Sequence, residues 1–340
     1  MRRLIIISNN DNKLNMKNQI DVAAAIIVKD NKIFAARRKP GVHLAGFWEF
    51  PGGKLEAGES AEECLVRELE EELKITTHVG AFVGESVYDY GSKVVRLMAY
   101  QVEHLAGDFE LIDHDALCWL GLDELESVQW APADISLVAQ FKAMTGTEAY
   151  YTANAQAYCA ETLAFDVGEL YQPFLAYLDE GAHILDLGCG SGRDSKAFMN
   201  KGYTVTPLDG TAAVATCAEQ YLGRSVVVST FQALDYHNVF DGVWAAASLL
   251  HCPGPQLSAV LARVARTLKI DGVAFLSFKC GDEDTVDDLG RHFSNFTSDS
   301  LAALVAPIAD FDVIKIWSER KPLRDGEQRW VNALVRKVGR

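Results

Sequence analysis

Glu68, Glu71 and Glu72 lie in a stretch that interleaves acid with leucine, directly after a glycine turn at Gly52-Gly53. Carboxylate oxygens are what a hard divalent cation takes as ligands, and Mg²⁺ bound this way keeps waters for a phosphate. Whether these three act together depends on the element that carries them. Ser60 with Glu63 three positions on is a capping-box pattern, so a helix is expected to start there. Leu65, Leu69 and Leu73 recur every four residues and form one apolar stripe along it. At about 100° per residue the three glutamates fall in a wedge bordering that stripe, while Arg67 and Glu70 turn toward solvent. Glu68 and Glu72 are like charges one turn apart, a cost of about 0.2–0.5 kcal/mol on an isolated helix. A bound cation would offset that repulsion; a plain acidic, solvated helix face is the alternative.

The spacing narrows the choice. Five residues separate Gly53 from Glu59, and seven more lead to Arg67-Glu68-Leu69, followed by Glu70-Glu71-Glu72. This arrangement resembles the Nudix box, with one departure at Lys74, where that family usually has a helix-closing glycine. Around it, Ala36-Arg37-Arg38, Gly46-Phe47-Trp48-Glu49-Phe50-Pro51-Gly52-Gly53-Lys54 and Ala131-Pro132-Ala133-Asp134-Ile135 resemble the MutT and CTP pyrophosphohydrolase branch. The resemblance implies hydrolysis of a nucleoside triphosphate to monophosphate and pyrophosphate. It implies Mg²⁺ (or Mn²⁺) held by the Gly52 carbonyl and by Glu68, Glu71 and Glu72, with Arg67 orienting the glutamates. Lys54 would face phosphate, Arg38 and Phe50 would border the base, and Asp134 would read its edge. MutT has asparagine there and the CTP-type enzymes aspartate, so an oxidised guanine and a cytosine nucleotide both stay open. Asp113 matches a facing-loop acid of the family, although a turn acid is as good a reading. His43 and His114 are expected as loop or packing residues, and Trp48 as core.

Composition bounds the rest. A chain of 340 residues, 49% apolar, has room for two domains. Net charge is −15, with 32 basic against 47 acidic side chains and no basic tract, which argues against strong nucleic-acid binding. Seven scattered cysteines without a Cys-x-x-Cys pair read as reduced thiols of a cytoplasmic protein. No early apolar run is long enough for a signal peptide or membrane span. Residues 1–19 read as a mobile leader, with Met16 a possible start. A first domain is expected over 20–144, with strands at Val22–Val28, Lys32–Arg38, Val94–Val102 and Leu117–Leu120 and a helix at Asp134–Met144. A linker is expected at 145–149, and a second domain over 150–340.

In the second domain, helices are expected to Ala160 and near Val167–Leu178. Strand His183–Gly188 then opens into Cys189-Gly190-Ser191-Gly192-Arg193-Asp194. Arginine at 193 breaks the nicotinamide-type glycine pattern, and the glycine loop alone is weak. A second strand ends at Asp209, the place for an acid that bonds a ribose diol. Further strands are expected at Val226–Ser229, Gly242–Ala247 and Val273–Phe278. Phe311–Trp317 and Trp330–Val335 are too close in sequence for a crossover helix, so they must pair antiparallel. This order and the glycine loop resemble class I S-adenosylmethionine (SAM) methyltransferases, closest to the small tellurite-resistance type. The whole is thus expected as an α+β Nudix sandwich, then an α/β Rossmann-like seven-stranded sheet with an antiparallel last strand.

The likeness implies that Asp186, Gly188, Gly190 and Gly192 border the methionine end of SAM and that Asp209 holds its ribose. Gln232 would lie at the adenine edge, with Ala246 and Leu249 covering the adenosyl face. Tyr151, His251 and Arg193 are candidate acceptor-side residues, the acceptor being a small molecule. Two readings follow: a bifunctional pyrophosphohydrolase and methyltransferase, or a methyltransferase regulated by a nucleotide-sensing Nudix module. Intact Glu68, Glu71 and Glu72 favour the first.

Overall fold

The computed structural model describes residues 19–165, 167–323 and 326–339; the leader expected at 1–19, Met16 included, lies outside them except for Gln19. The chain divides into two compact units. One comprises Met1–Gly80 and Glu85–Leu137, the other Ala81–Gly84 and Val138–Arg340.

The first unit is built on β1 (Gln19–Lys29), whose Ala23–Ile27 run is wholly buried. A strand covered on both faces has no reason to alternate, which is why this run reads as continuously apolar. It pairs antiparallel with β2 (Lys32–Arg38) and β4 (Gly52–Lys54), and parallel with β6 (Val94–Ala106). β3 (Trp48–Glu49) and β7 (His114–Leu120) flank β2, and β5 (Thr76–Asp89) lies at the far edge beside β6. The sequence reading passed over β5, where Gly80 and Gly84 interrupt an otherwise β-branched and aromatic run. Helix α1 (Ala61–Leu73) packs Leu65, Leu69 and Leu73, all 0% exposed, onto the sheet.

Helix α2 (Asp134–Leu163) runs unbroken through the linker expected at 145–149. Thr147 is buried there, its hydroxyl donating to the Ala143 carbonyl at 2.9 Å. A Cβ on Gly146 would meet the Gly290 carbonyl oxygen at 2.7 Å. The glycine of the expected linker is therefore a close-packing residue. The unit boundary correspondingly falls at Leu137/Val138, ahead of the expected 144. The helix expected at 167–178 shortens to a 3₁₀ turn at Gly168–Leu170 and α3 (Tyr171–Leu175).

The second unit is a seven-stranded sheet. Its strands are β8 (His183–Leu187), β9 (Thr204–Asp209), β10 (Val227–Val228), β11 (Phe240–Ala245) and β12 (Leu268–Lys279). A short hairpin, β13 (Thr285–Val286) and β14 (His292–Phe293), precedes β15 (Phe311–Leu323) and β16 (Gly326–Lys337). The order is β10-β9-β8-β11-β12-β16-β15. β8 through β12 pair parallel, and β16 lies antiparallel to both β12 and β15, as the short connection required. Helices α4 (Arg193–Asn200), α5 (Ala212–Leu222), α6 (Gly254–Thr267) and α7 (Ser298–Val305) complete the layers. Reversal of strand order about β8 opens a crevice at the carboxyl ends of β8 and β11, where open α/β sheets take ligands.

Candidate functional sites

In the first unit the capping box closes as expected: Ser60 accepts from the Glu63 amide at 3.1 Å, and Glu63 accepts from the Ser60 amide at 2.9 Å. At the other end Lys74 adopts φ 56°, the left-handed conformation usually left to glycine, and its N–H reaches the Glu70 carbonyl at 3.2 Å. The last carbonyls of α1 also accept from the loop between β6 and β7, Leu73 from Glu110 at 3.0 Å and Glu72 from Ile112 at 3.2 Å. Those bonds bring Asp113 beside Glu72.

A cleft of about 330 Å³ opens here, within the range of small-molecule sites. Of the expected residues, Arg38, Phe50, Gly52, Glu72, Asp113 and Asp134 line it. Glu72 is half-buried and its Oε2 has no hydrogen-bond partner among the described residues. Burial lifts its pKa to about 7, with His114 opposing and Glu68 adding to the rise. Glu68 instead lies against Gly53, where any Cβ would sit 2.0 Å from its carboxyl carbon. Glu71 is 61% exposed on its side chain. Among the described residues no group of three His, Cys, Asp or Glu side chains is arranged to hold a metal ion. The three glutamates share a helix face, but only Glu72 lines the cleft.

Arg67 does not face solvent as expected. Its Nε and Nη2 bond both Glu59 oxygens at 2.8 and 2.9 Å, and Nη1 bonds Glu68 at 2.7 Å and approaches Glu71 at 3.5 Å. Bidentate pairing of this kind is strong enough to fold the guanidinium back over the helix start. It raises the Arg67 pKa, Glu59 being the larger cause. Lys54 is exposed and outside the cleft, contributing only its carbonyl to Arg67 Nη2 at 3.4 Å. Asp113 pairs with Lys39 at 2.6 Å.

Asp134 is buried and accepts the Phe50 amide at 3.0 Å; burial pushes its pKa well above the carboxylate range. Phe50 packs on Trp130, ring centroids 4.8 Å apart. Sequence reasoning missed Glu49, which accepts from Arg38 Nη1 at 2.5 Å and bonds His114 Nε2 at 2.9 Å. Its strand position beside Phe50 was the available signal. His114 is buried as expected for packing, yet it lines the cleft, and its Nδ1 has no partner among the described residues. His43 is a loop residue edge-on to Tyr90. Trp48 is half-buried beneath Arg37 rather than core.

The second unit has its own cleft, where the structure brings together Gly188, Asp209, Gln232, Tyr151 and His251. Gly188 has φ +78°, and a Cβ there would stand 2.4 Å from that of Ser248. Asp209 accepts from the Gly190 amide at 3.0 Å and the Thr211 amide at 2.9 Å; burial raises its pKa to about 6 against those bonds. Gln232 donates to Gln256 at 2.5 Å. Tyr151 Oη and His251 Nε2 are 2.8 Å apart.

Other expected residues lie behind the cleft wall. Asp186 is 2% exposed and accepts the Ser195 hydroxyl at 2.5 Å, tying β8 to α4. Gly190 and Gly192 shape the loop without lining the cleft, packing against Tyr158 and Leu222. Arg193 bonds Asp194 at 2.6 Å, and Asp194 also accepts from Tyr171 and Trp244, so that arginine is committed to a buried network. Ala246 packs with the aromatic cluster around Trp244, and Leu249 is in the core. Their neighbours Ala247 and Ser248 line the cleft instead, in the turn after β11, where Ala247 takes a left-handed φ of 52°. Ser248 Oγ is buried without a partner among the described residues, a second residue the sequence reading missed.

Comparison with known proteins follows this division. A family model described as NUDIX domain matches residues 18–141, and one described as methyltransferase domain matches 185–276. The CTP pyrophosphohydrolase of Escherichia coli (strain K12) is 41% identical over 125 residues, covering 37% of this chain and 93% of that protein. The putative 8-oxo-dGTP diphosphatase 2 of Mycobacterium tuberculosis (strain ATCC 25618 / H37Rv) is 43% identical over 127 residues, covering 36% and 88%. Among solved structures, a SAM-dependent methyltransferase from Methanosarcina mazei is 22% identical with a TM-score of 0.46, covering 50% of this chain and 99% of that one. No helix among the described residues is long and apolar enough to cross a membrane.

Proposed function

Because the chain belongs to the Nudix family through its front domain and carries a methyltransferase domain behind it, we propose a bifunctional, cytoplasmic enzyme. The front domain hydrolyses a nucleoside triphosphate of the CTP or 8-oxo-dGTP kind to monophosphate and pyrophosphate. The rear domain transfers a methyl group from SAM to a small molecule.

The observation that carries the hydrolase reading is Glu72 Oε2, a carboxylate oxygen shielded from water inside the cleft with no partner among the described residues. Leaving such a group unmatched is costly unless a ligand completes it. The donor set fits Mg²⁺ or Mn²⁺: the Gly52 carbonyl and the carboxylates of Glu68, Glu71 and Glu72 are hard oxygens. Bound there, the ion supplies neutralisation of polyphosphate charge and a more acidic water. The chain's own residues do the rest. Arg67 holds Glu68 toward Gly53, whose missing side chain leaves the space that carboxylate occupies. Lys54, exposed outside the cleft, swings in to phosphate oxygens when the nucleotide binds. Asp113, solvent-accessible and steadied by Lys39, takes the proton from the attacking water. Phe50 and Arg38 border the base, and Asp134, while bonded to the Phe50 amide, reads its edge.

In the rear cleft, Asp209 holds the ribose hydroxyls and Gly188 admits the cofactor backbone-close. The unpaired Ser248 hydroxyl supports a ligand at this place. Pyrophosphate release from CTP and 8-oxo-dGTP with added Mg²⁺, compared between the wild type and Glu72→Gln, tests the first activity. Unchanged release would leave the front domain as the nucleotide sensor of the other reading. Calorimetric titration of SAM into wild type and Asp209→Ala tests the second.

A further inference from the structure

The rear cleft contains a hydrogen-bonded pair whose proton positions follow from what each partner can donate or accept. His251, in the 3₁₀ turn Leu249–His251 after β11, places Nδ1 2.7 Å from the His292 carbonyl oxygen. A carbonyl oxygen only accepts, so Nδ1 carries the hydrogen. Nε2 is then the lone pair, and it accepts the Tyr151 hydroxyl at 2.8 Å. With its own proton directed to His251, the Tyr151 oxygen has lone pairs left to receive another. Both residues line the cleft, in company with Gly188 and Asp209.

The surroundings suit a group that passes a proton. Arg291, stacked over Tyr150 at 4.5 Å and anchored to Asp287 at 2.7 Å, lies beside the Tyr151 hydroxyl and favours its ionised form. Burial outweighs this and keeps Tyr151 protonated at rest, its pKa pushed up to about 12. Burial also keeps His251 neutral, with Arg291, Lys279 and His292 adding to the effect, so its lone pair is available. Asp209 and Tyr158 are the other titratable groups facing Tyr151. The formally charged side chains among the described lining residues are acids, Glu148 and Asp209; no lysine or arginine is among them. The nearest cation, Arg291 beside Tyr151, is already paired with Asp287, so the site favours an uncharged acceptor over an anionic one.

We propose that Tyr151 and His251 are the proton-accepting pair of the methyl-transfer site, and that the acceptor is an uncharged small molecule whose nucleophilic oxygen or nitrogen bears a proton. This rests on the methyltransferase reading of the cleft. The acceptor lone pair attacks the methyl carbon of the sulfonium, forming a C–O or C–N bond. The C–S bond breaks and its electron pair stays on sulfur, now a neutral thioether. The acceptor proton passes to Tyr151 Oη as the tyrosine's own proton moves to His251 Nε2. The positive charge lost by the sulfonium ends on the imidazolium, which later gives its proton to water. Tyr151 is the catalytic residue that touches the acceptor, and His251 acts through it.

The full chain is assayed with labelled SAM on two kinds of probe. Catechol, 7-hydroxycoumarin and uracil bring a proton; 4-nitrobenzenethiolate does not. Tyr151→Phe and, separately, His251→Asn are compared with wild type. Asparagine retains a donor for the His292 carbonyl but holds no proton. Wild type is expected to methylate at least one protonated probe. Each variant is expected to lower the ratio of kcat on that probe to kcat on the thiolate by about 10²-fold, with the SAM dissociation constant within about twofold. A parallel fall on both kinds of probe, an unchanged ratio, or transfer by wild type to the thiolate alone overturns the proposal. SAM binding without transfer to any protonated probe overturns the acceptor class. Failure of wild type to bind SAM by calorimetry overturns the methyltransferase reading itself, and is distinguished from the other outcomes by that measurement.

Discussion

Glu72, Gly53 and His251 show how one side chain's chemistry is set by its immediate surroundings. Glu72→Gln keeps the shape at the cleft and removes the charge; pyrophosphate release is expected to fall at least about 10²-fold with little change in melting temperature. Gly53→Ala leaves the backbone free to fold yet drives a methyl group into the Glu68 carboxylate, 2.0 Å from its carbon. Hydrolysis is expected to drop tenfold or more while circular dichroism is unchanged, a result that a merely acidic, solvated helix face would not give. His251 makes a pH prediction. Burial lowers its pKa to about 4 from an unfolded value near 6.5. A depressed pKa means that the folded state holds fewer protons, so the contribution is complete above pH ~6.5 and is lost as pH falls through ~4. It amounts to roughly 2–4 kcal/mol, as each pKa unit is about 1.4 kcal/mol. His251→Asn is therefore expected to flatten the fall in denaturant stability between those pH values, and an unaltered slope would contradict the assignment of a neutral, buried imidazole.

At the scale of elements, the start of α1 and its buried stripe were legible in the sequence. Its capping box, its leucine stripe and its acidic wedge are local patterns, and local patterns survive folding. Its last residue shows the cost of one substitution. Lys74 sits at φ 56°, where a Cβ crowds the following carbonyl at a cost of about 1–2 kcal/mol. Lys74→Gly is expected to stabilise the front domain by about 1 kcal/mol in urea unfolding, after the glycine's greater unfolded-state entropy is allowed for. Two elements were not legible for the opposite reason. β5 carries glycines at 80 and 84 that read as breaks, and only pairing beside β6 makes the segment a strand. The linker expected at 145–149 is helical, and Gly146 within it lacks a side chain because the Gly290 backbone passes where one would be. A glycine selected for close approach and a glycine selected for freedom look identical in one dimension.

At the scale of the molecule, each cleft draws its lining residues from one unit. The two activities are accordingly expected to be separable by mutation in the intact chain. Glu72→Gln should leave the SAM dissociation constant within about twofold, and Asp209→Ala should leave pyrophosphate release within about twofold. A large cross-effect in either direction would favour the regulated reading over the bifunctional one.

From its residues alone the chain announced two domains, their order, the box helix, the parallel strands and the antiparallel terminal pair, because hydrophobic period, caps and short connections act over a few neighbours. Folding alone decided which candidates share a cavity. It put Glu72 inside and Glu71 outside, committed Arg67 to Glu59 and Arg193 to Asp194, and exchanged Ala246 and Leu249 for Ala247 and Ser248. It also joined Glu49 to His114 and Tyr151 to His251, pairs separated by 65 and 100 positions. Such partners are selected by burial and geometry in three dimensions, and neither leaves a periodic trace along the chain.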